Sequence, residues 1–128
     1  MRAIDTNVVV RLITRDDQRQ VVAAEALVRD GAWLSVVALA EASWVFHSVY
    51  EFSPRQMIAA LEMLLDHNHI IVDQPAIVER AINVFRKRPK LKFTDCLLVE
   101  IARQAGVFPL ATFDRDLAKL DDVKLITS

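Results

Sequence analysis

Asp5, Glu41, Asp95 and Asp114 are four acids in apolar surroundings, spread along a chain of 128 residues. Asp5 closes the opening Met1-Arg2-Ala3-Ile4 and precedes Thr6-Asn7 and Val8-Val9-Val10. A carboxylate at the exit of a buried strand is costly unless a cation or a catalytic task compensates it. Glu41 is the only fully ionised side chain between Asp30 and Glu51, Asp95 opens a helical stretch whose free N–H groups favour an anion, and Asp114 follows Thr112 by two positions with Asp116 close behind. If the four meet, each like-charged pair at about 7 Å costs about 2 kcal/mol at an effective dielectric near 20. Without cations some of them would protonate. Hard divalent ions accept carboxylate oxygens, and an all-oxygen donor set favours Mg2+ or Mn2+ over zinc. The chemistry such a set suggests is metal-assisted phosphodiester hydrolysis, in which the cation would acidify a water and polarise the scissile phosphate. Asp5 and Asp95 are the direct ligands in this reading, with Glu41 and Asp114 completing or orienting the shell.

Thr6, Asn7 and Thr112 supply neutral groups that orient ligands or waters, and Asp116 either joins the acids or starts the final helix. Arg11 falls one turn after Asn7 and faces phosphate or makes an exposed ion pair. Five cations without an acid among them, Arg86, Lys87, Arg88, Lys90 and Lys92, directly precede Asp95 and are candidates for steering phosphate; their structural alternative is a solvated helix end complementing the dipole before Pro89. The acids have such alternatives too: Asp5 as a strand-end turn residue, Asp95 as a first-turn acid, Asp114 as a helix cap, and Glu41 as a buried neutral or arginine-paired carboxyl.

The elements that must position these groups alternate. Strands are expected at Arg2 to Asp5, Trp33 to Val36, Ile70 to Asp73, Phe108 to Thr112 and Val123 to Thr127. Helices are expected over Val8 to Thr14, Arg19 to Arg29 and a mostly buried Val37 to Tyr50. Ser53-Pro54-Arg55-Gln56 marks a capping box opening a helix towards Asp66, Pro75 opens one ending near Arg88, Thr94 or Asp95 starts one terminated by Gly106, and a short helix lies between Asp114 and Leu120. Strands separated by helices imply a mainly parallel sheet covered on both faces, a three-layer α/β/α sandwich in a single domain over 1–128. Ligands of such sheets gather beyond the carboxyl ends of the strands, where these acids would converge.

Composition narrows the function further. A hydrophobic content of 53% argues against disorder, and sixteen basic against seventeen acidic residues, a net charge of -1, exclude a bulk polyelectrolyte binder of nucleic acid. Two glycines cannot build a dinucleotide fingerprint or a Walker loop. Cys96 alone offers no intramolecular disulfide and no zinc ribbon. No run is expected to span a bilayer and no secretory leader is expected, so the cytoplasm is the default compartment.

The chain resembles the PIN-domain nucleases, and most closely the VapC-type toxins of toxin–antitoxin pairs. The resemblance rests on Ile4-Asp5-Thr6-Asn7, on Glu41 in the helix after the second strand, on Phe93-Thr94-Asp95 entering an alanine- and leucine-bearing helix, and on Leu110-Ala111-Thr112-Phe113-Asp114. It implies a five-stranded parallel sheet in the order 3-2-1-4-5, Asp5, Glu41, Asp95 and Asp114 as metal-binding acids, RNA as substrate, cleavage leaving 5′-phosphate and 3′-hydroxyl ends, a homodimer and an inhibitory antitoxin protein. Thr94 and Cys96 stand where small apolar residues are frequent in that family, and Leu117 where an aromatic residue often follows the last acids.

Three competing functions are weighed beside this one. A PIN-like nuclease acting in RNA processing or on DNA, without an antitoxin, would use the same acids. Histidine acid-base chemistry by His47, His67 and His69 would survive chelation, although His67 and His69 flank a turn and His47 lies in an apolar helix. A silent PIN-like module would bind partners through Trp33, Trp44, Phe46, Tyr50 and Phe52, of which Trp33 and Phe46 are expected in the core.

Overall fold

In the computed structural model, which describes residues 1–127, the elements run β1 (Arg2–Ile4), α1 (Thr6–Thr14), α2 (Gln18–Arg29), β2 (Ala32–Leu34), α3 (Val36–Ser48), α4 (Pro54–Asp66), β3 (Ile70–Val72), α5 (Pro75–Lys87), α6 (Phe93–Ala105), β4 (Leu110–Thr112), a 3-10 turn (Leu117–Lys119) and β5 (Val123–Leu125). They form two compact units, one from Met1 to Pro75 and one beginning at Ala76.

In the first unit β1, β2 and β3 pair side by side in parallel, with Ile4 opposite Leu34 and Leu34 opposite Val72. Residues alternate across the pleat: Ile4, Ala32, Leu34, Ile70 and Val72 are buried, while Ala3, Trp33 and Ile71 point the other way and are exposed. Trp33 is thus not a core residue, whereas Phe46 is fully buried and stacks on Phe52 with ring centroids 4.9 Å apart. Because the strands are parallel their carboxyl ends share one edge, and Asp5, Ser35 and Asp73 leave it.

Each helix of this unit starts where a side chain satisfies a free N–H. Asp5 accepts from Val8 N at 3.2 Å, so α1 begins two residues earlier than the apolar periodicity suggests. Ser35 caps α3, and Ser53 with Gln56 forms the expected capping box of α4. α3 buries Ala38, Leu39, Ala42, Ser43 and Phe46 but exposes Val37, Glu41 and Trp44, which recur at helical spacing along the opposite side. The expectation of a mostly buried helix fails here because apolar residues occupy both faces, so the sequence carries no polar stripe to mark the wet one.

In the second unit, α5 and α6 accompany β4 and β5, a parallel pair with Leu110 opposite Val123 and Thr112 opposite Leu125. Phe85 of α5 meets Phe93 of α6 edge to face, with centroids 6.0 Å apart. α6 begins at Phe93, with Lys92 as an N-cap whose side chain makes no capping bond, and ends at Gly106, whose φ of 73° supplies the left-handed terminator expected of it. The helix expected between Asp114 and Leu120 shrinks to the three-residue 3-10 turn.

Hydrogen bonding divides the five strands into a three-stranded and a two-stranded sheet, in place of the one five-stranded sheet ordered 3-2-1-4-5. The order within each piece, 3-2-1 and 4-5, is the expected one. Apolar runs mark where strands form but do not name their neighbours, and no ladder joins β1 to β4 among the described residues.

The second unit also buries a charge. Glu100 of α6 is 2% exposed and lies 3.4 Å from Arg80 Nε of α5 through one oxygen, while its other oxygen accepts from Arg103 Nη1. Arg103 continues outward: Nη2 donates to the Asp121 carbonyl at 2.8 Å, and Nε lies 3.3 Å from Asp122 Oδ2 without the geometry of a hydrogen bond. This chain of contacts ties α5, α6 and the turn before β5. Removing one partner leaves a buried carboxylate under-compensated, so Arg103→Met is expected to destabilise the protein by about 3 kcal/mol in a urea titration. A midpoint unchanged from wild type would show the network to be dispensable.

Candidate functional site

On the first unit's side, Asp5 leaves β1 and caps α1 through Oδ1, which accepts from Val8 N. The alternative of a strand-end residue bonded to a nearby N–H is therefore realised, here as a helix cap, but it occupies one carboxylate oxygen only. Thr6, in the first turn of α1, donates its hydroxyl to Glu41 Oε2 at 2.9 Å. α1 packs on α3, and this bond draws Glu41 to the segment that carries Asp5. Glu41 is exposed, so it is not the buried carboxyl considered from the sequence, and the partner it has is Thr6. Asn7 is exposed beside them.

Arg11 is committed elsewhere. Its Nη1 donates to Asp16 Oδ1 at 3.1 Å and to Tyr50 Oη at 3.2 Å, and its Nε donates to Gln20. Tyr50 in turn donates to Asp16 Oδ2 at 2.7 Å, and this bond, with those from Thr14 and the nearby guanidinium, holds the Asp16 carboxyl below the ordinary carboxylate range. The ion-pair alternative describes Arg11 as it stands: it clasps the α1–α2 connection to the end of α3.

Within the first unit, His67 and His69 lie away from Asp5. His67 caps the carboxyl end of α4, and its Nδ1 accepts from His69 N at 3.0 Å, with the two rings 6.0 Å apart. Burial, and then the neighbouring His69, depress the His67 pKa, which favours neutral imidazole. Both precede β3, at the amino edge of the sheet, whereas Asp5 leaves from the carboxyl edge. That separation leaves no histidine acid-base pair beside Asp5 or Glu41, and His47 is exposed on α3.

The second unit places Asp95 and Asp114 within electrostatic reach of each other. Asp95, half-buried in the first turn of α6, has a raised pKa, chiefly because burial penalises its charge and further because Asp114 repels it, with Lys92 opposing. It is the acid of the first turn of α6, as its structural alternative has it, and Lys92 rather than Asp95 is the N-cap. Asp114 is organised by its own loop: its N–H donates to Thr112 Oγ1 at 3.0 Å, and its Oδ1 accepts from Asp116 N at 2.8 Å and Leu117 N at 3.2 Å. Thr112 acts here as the residue that orients an acid. Asp116 is exposed and lies 3.4 Å from Lys119 Nζ, a pair too wet to weigh much. The thiol of Cys96, next to Asp95, is buried and its pKa is pushed up to about 12, mainly by burial, which leaves it inert.

The donor set fits a hard cation in its chemistry. The oxygens are carboxylate, and the repulsion that pushes Asp95 up is what a divalent ion would relieve. The structure gathers these donors in twos: among the described residues no group of three or more His, Cys, Asp or Glu side chains is assembled that could hold a metal ion. Sequence reasoning passed over Asp73, the third residue leaving the carboxyl edge of the sheet, whose only signal was its place after a strand, and Lys119, which no cationic run contains.

A family model described as PIN domain matches residues 3–123. A crystal structure of Mycobacterium tuberculosis VapC20, described as a Sarcin-Ricin loop cleaving toxin, is similar over 96% of this chain and 97% of that one, with 18% sequence identity and a TM-score of 0.44. Comparison with curated proteins gives no match.

Proposed function

The chain belongs to the PIN-domain nuclease family, and from that premise we propose that it is a divalent-cation-dependent endoribonuclease, the toxin of a toxin–antitoxin pair, with Asp5, Glu41, Asp95 and Asp114 as its metal-binding acids. The observation that carries the reading is Asp95: a carboxylate half-buried by its own fold and repelled by Asp114 is suited to a cation. When bound, Mg2+ or Mn2+ supplies Lewis-acid polarisation of the scissile phosphate and a lowered pKa for the attacking water.

The protein's own residues then have defined tasks. Asp5 keeps one oxygen on the α1 amino terminus, which fixes its direction and leaves the other free to ligate. Thr6 holds Glu41 in a single orientation, and the Thr112–Asp114–Asp116 turn does the same for Asp114. Such preorganisation limits the reorganisation needed as charge develops on the phosphate. Exposed Val37 and Trp44 on α3 support association into a homodimer, with antitoxin as a further partner. No helix of the described residues is long and apolar enough to cross a membrane, and the cytoplasm is the compartment we assign.

End-group analysis of RNA cut by the purified chain tests the reading. Hydrolysis by an activated water does not use the ribose 2′-hydroxyl, and with the 3′-oxygen as leaving group, as the family resemblance implies, it leaves 5′-phosphate and 3′-hydroxyl ends. Products ending in 2′,3′-cyclic phosphate would assign the cleavage to different chemistry.

A further inference from the structure

The cationic run between α5 and α6 does not behave as one patch. Lys87, Arg88 and Lys90 line a concavity of about 270 Å3, together with Pro89, Leu91, Asp116 and Lys119. Arg86 and Lys92, the ends of the run, do not line it. Lys119 joins from the 3-10 turn, which is remote in sequence.

The backbone makes the pocket durable. Arg88 N donates to Val84 O at 2.9 Å, finishing α5, and Leu91 N donates to Arg88 O at 3.1 Å, closing a turn around Pro89. Leu91 is 6% exposed, so its side chain pins the turn while the cations beside it stay in water. A helix end needs about one cation to complement its dipole, and this one carries three more than the single carboxylate on the pocket rim offsets. Lys87, Arg88 and Lys90 have no carboxylate partner among the described residues. Lys119 has only Asp116, an exposed pair that a phosphate dianion or diester would outcompete.

Its position supplies the function. One end of the connection passes through Lys92 into α6, where Asp95 N donates to the Lys92 carbonyl at 3.0 Å. The other side reaches Asp116, whose N–H is held by Asp114 Oδ1. The pocket thus shares Asp116 with the turn that orients Asp114, and its lining ends at Leu91, four residues before Asp95. We infer that it is a phosphate subsite for single-stranded RNA, holding a backbone phosphate next to the one to be cleaved, with Lys87, Arg88, Lys90 and Lys119 as its ligands and Pro89 as an apolar wall for the adjoining sugar or base. The inference rests on the nuclease reading for its substrate, but its binding test does not depend on catalysis.

The test measures fluorescence anisotropy of a short labelled single-stranded oligoribonucleotide with the full chain, in EDTA to prevent turnover, across a salt series. Each phosphate contact on a single strand contributes about 0.7 to the slope of log affinity against log salt. Replacing Lys87, Arg88 and Lys90 together with Gln lowers that slope by about 0.7, the contribution of the one phosphate held, and weakens binding at low salt by at least about tenfold. The Lys119→Gln variant weakens binding in the same direction by a smaller factor than the triple variant. Lys124→Gln, an exposed cation of β5, and Arg86→Gln, from the run but outside the pocket, change affinity by less than about twofold. In a cleavage assay with Mg2+ the triple variant raises KM and keeps kcat.

A triple variant that binds like Lys124→Gln overturns the pocket and leaves the nuclease reading intact. A chain that cuts nothing, yet loses oligonucleotide binding in the triple variant, overturns the nuclease reading and leaves the pocket. Tighter binding of a polyglutamate peptide than of the oligonucleotide assigns the pocket to an acidic protein and overturns the RNA assignment. Circular dichroism of each variant separates loss of a contact from loss of fold.

Discussion

Asp95→Asn is expected to abolish RNA hydrolysis and, at the same time, to raise the melting temperature. The two effects have one cause. The side chain is desolvated and repelled by Asp114, so its folded-state pKa lies above the ordinary value of 3.8. For a carboxyl shifted upward, the folded state binds the proton more tightly than the unfolded state does. Its contribution to stability is therefore most favourable below the ordinary value, is lost as pH rises through the window between that value and the raised one, and stays lost at neutral pH. Asparagine keeps the shape and carries no charge, so it removes the penalty. A melting temperature a few degrees above wild type is expected at pH 7, with the gap closing as the pH approaches 3.8. The same substitution removes a donor to the cation, and losing about 4 kcal/mol of transition-state stabilisation corresponds to a rate about 10³-fold lower. An Asp95→Asn protein that melts lower and still cleaves would refute both the role of the residue and the account of its environment.

Chelation is expected to be as severe. Excess EDTA should bring cleavage to background, and Mg2+ or Mn2+ added back should restore it, because the carboxylate oxygens that the site offers are hard donors. Stability gives a second readout. An ion that binds only the folded chain stabilises it by about 2.7 kcal/mol at a hundred times its dissociation constant, so wild type should melt higher in saturating Mn2+. The Asp95→Asn protein should show little of that gain, because it starts without the repulsion that the ion relieves. Cleavage that persists through prolonged chelation would remove the cation from the mechanism and reopen acid-base chemistry by other groups.

Much of this was legible before any coordinates. Ser53 and Gln56 at capping-box spacing, Pro54 at the first helical position and Gly106 past the last turn of α6 mark helix ends through local chemistry, and those marks were read correctly. The strands were found from short β-branched and apolar runs, with ends that moved by one or two residues. Asp5 shows where local reading stops. Its place at a strand end, bonded to nearby N–H groups, is legible, but that the bond caps a helix beginning at Thr6, whose hydroxyl then reaches Glu41, comes with α1 packing on α3.

The sequence by itself determined which chemistry this protein is equipped for, since side-chain types decide what can be ionised, ligated or protonated: acids without bulk negative charge, a cationic run ahead of Asp95, no glycine-rich loop and no cysteine pair. Only the tertiary structure decided which members of those sets act together. It turned Glu41 to the wet side of a helix whose faces are both apolar, withdrew Arg11 into a contact with Asp16 and Tyr50, separated Lys87, Arg88 and Lys90 from Arg86 and Lys92, and added Lys119 to them. The physical reason is that helix and strand signals act over a few residues, whereas burial, electrostatic repulsion and the pairing of charges depend on distances between residues far apart in the chain.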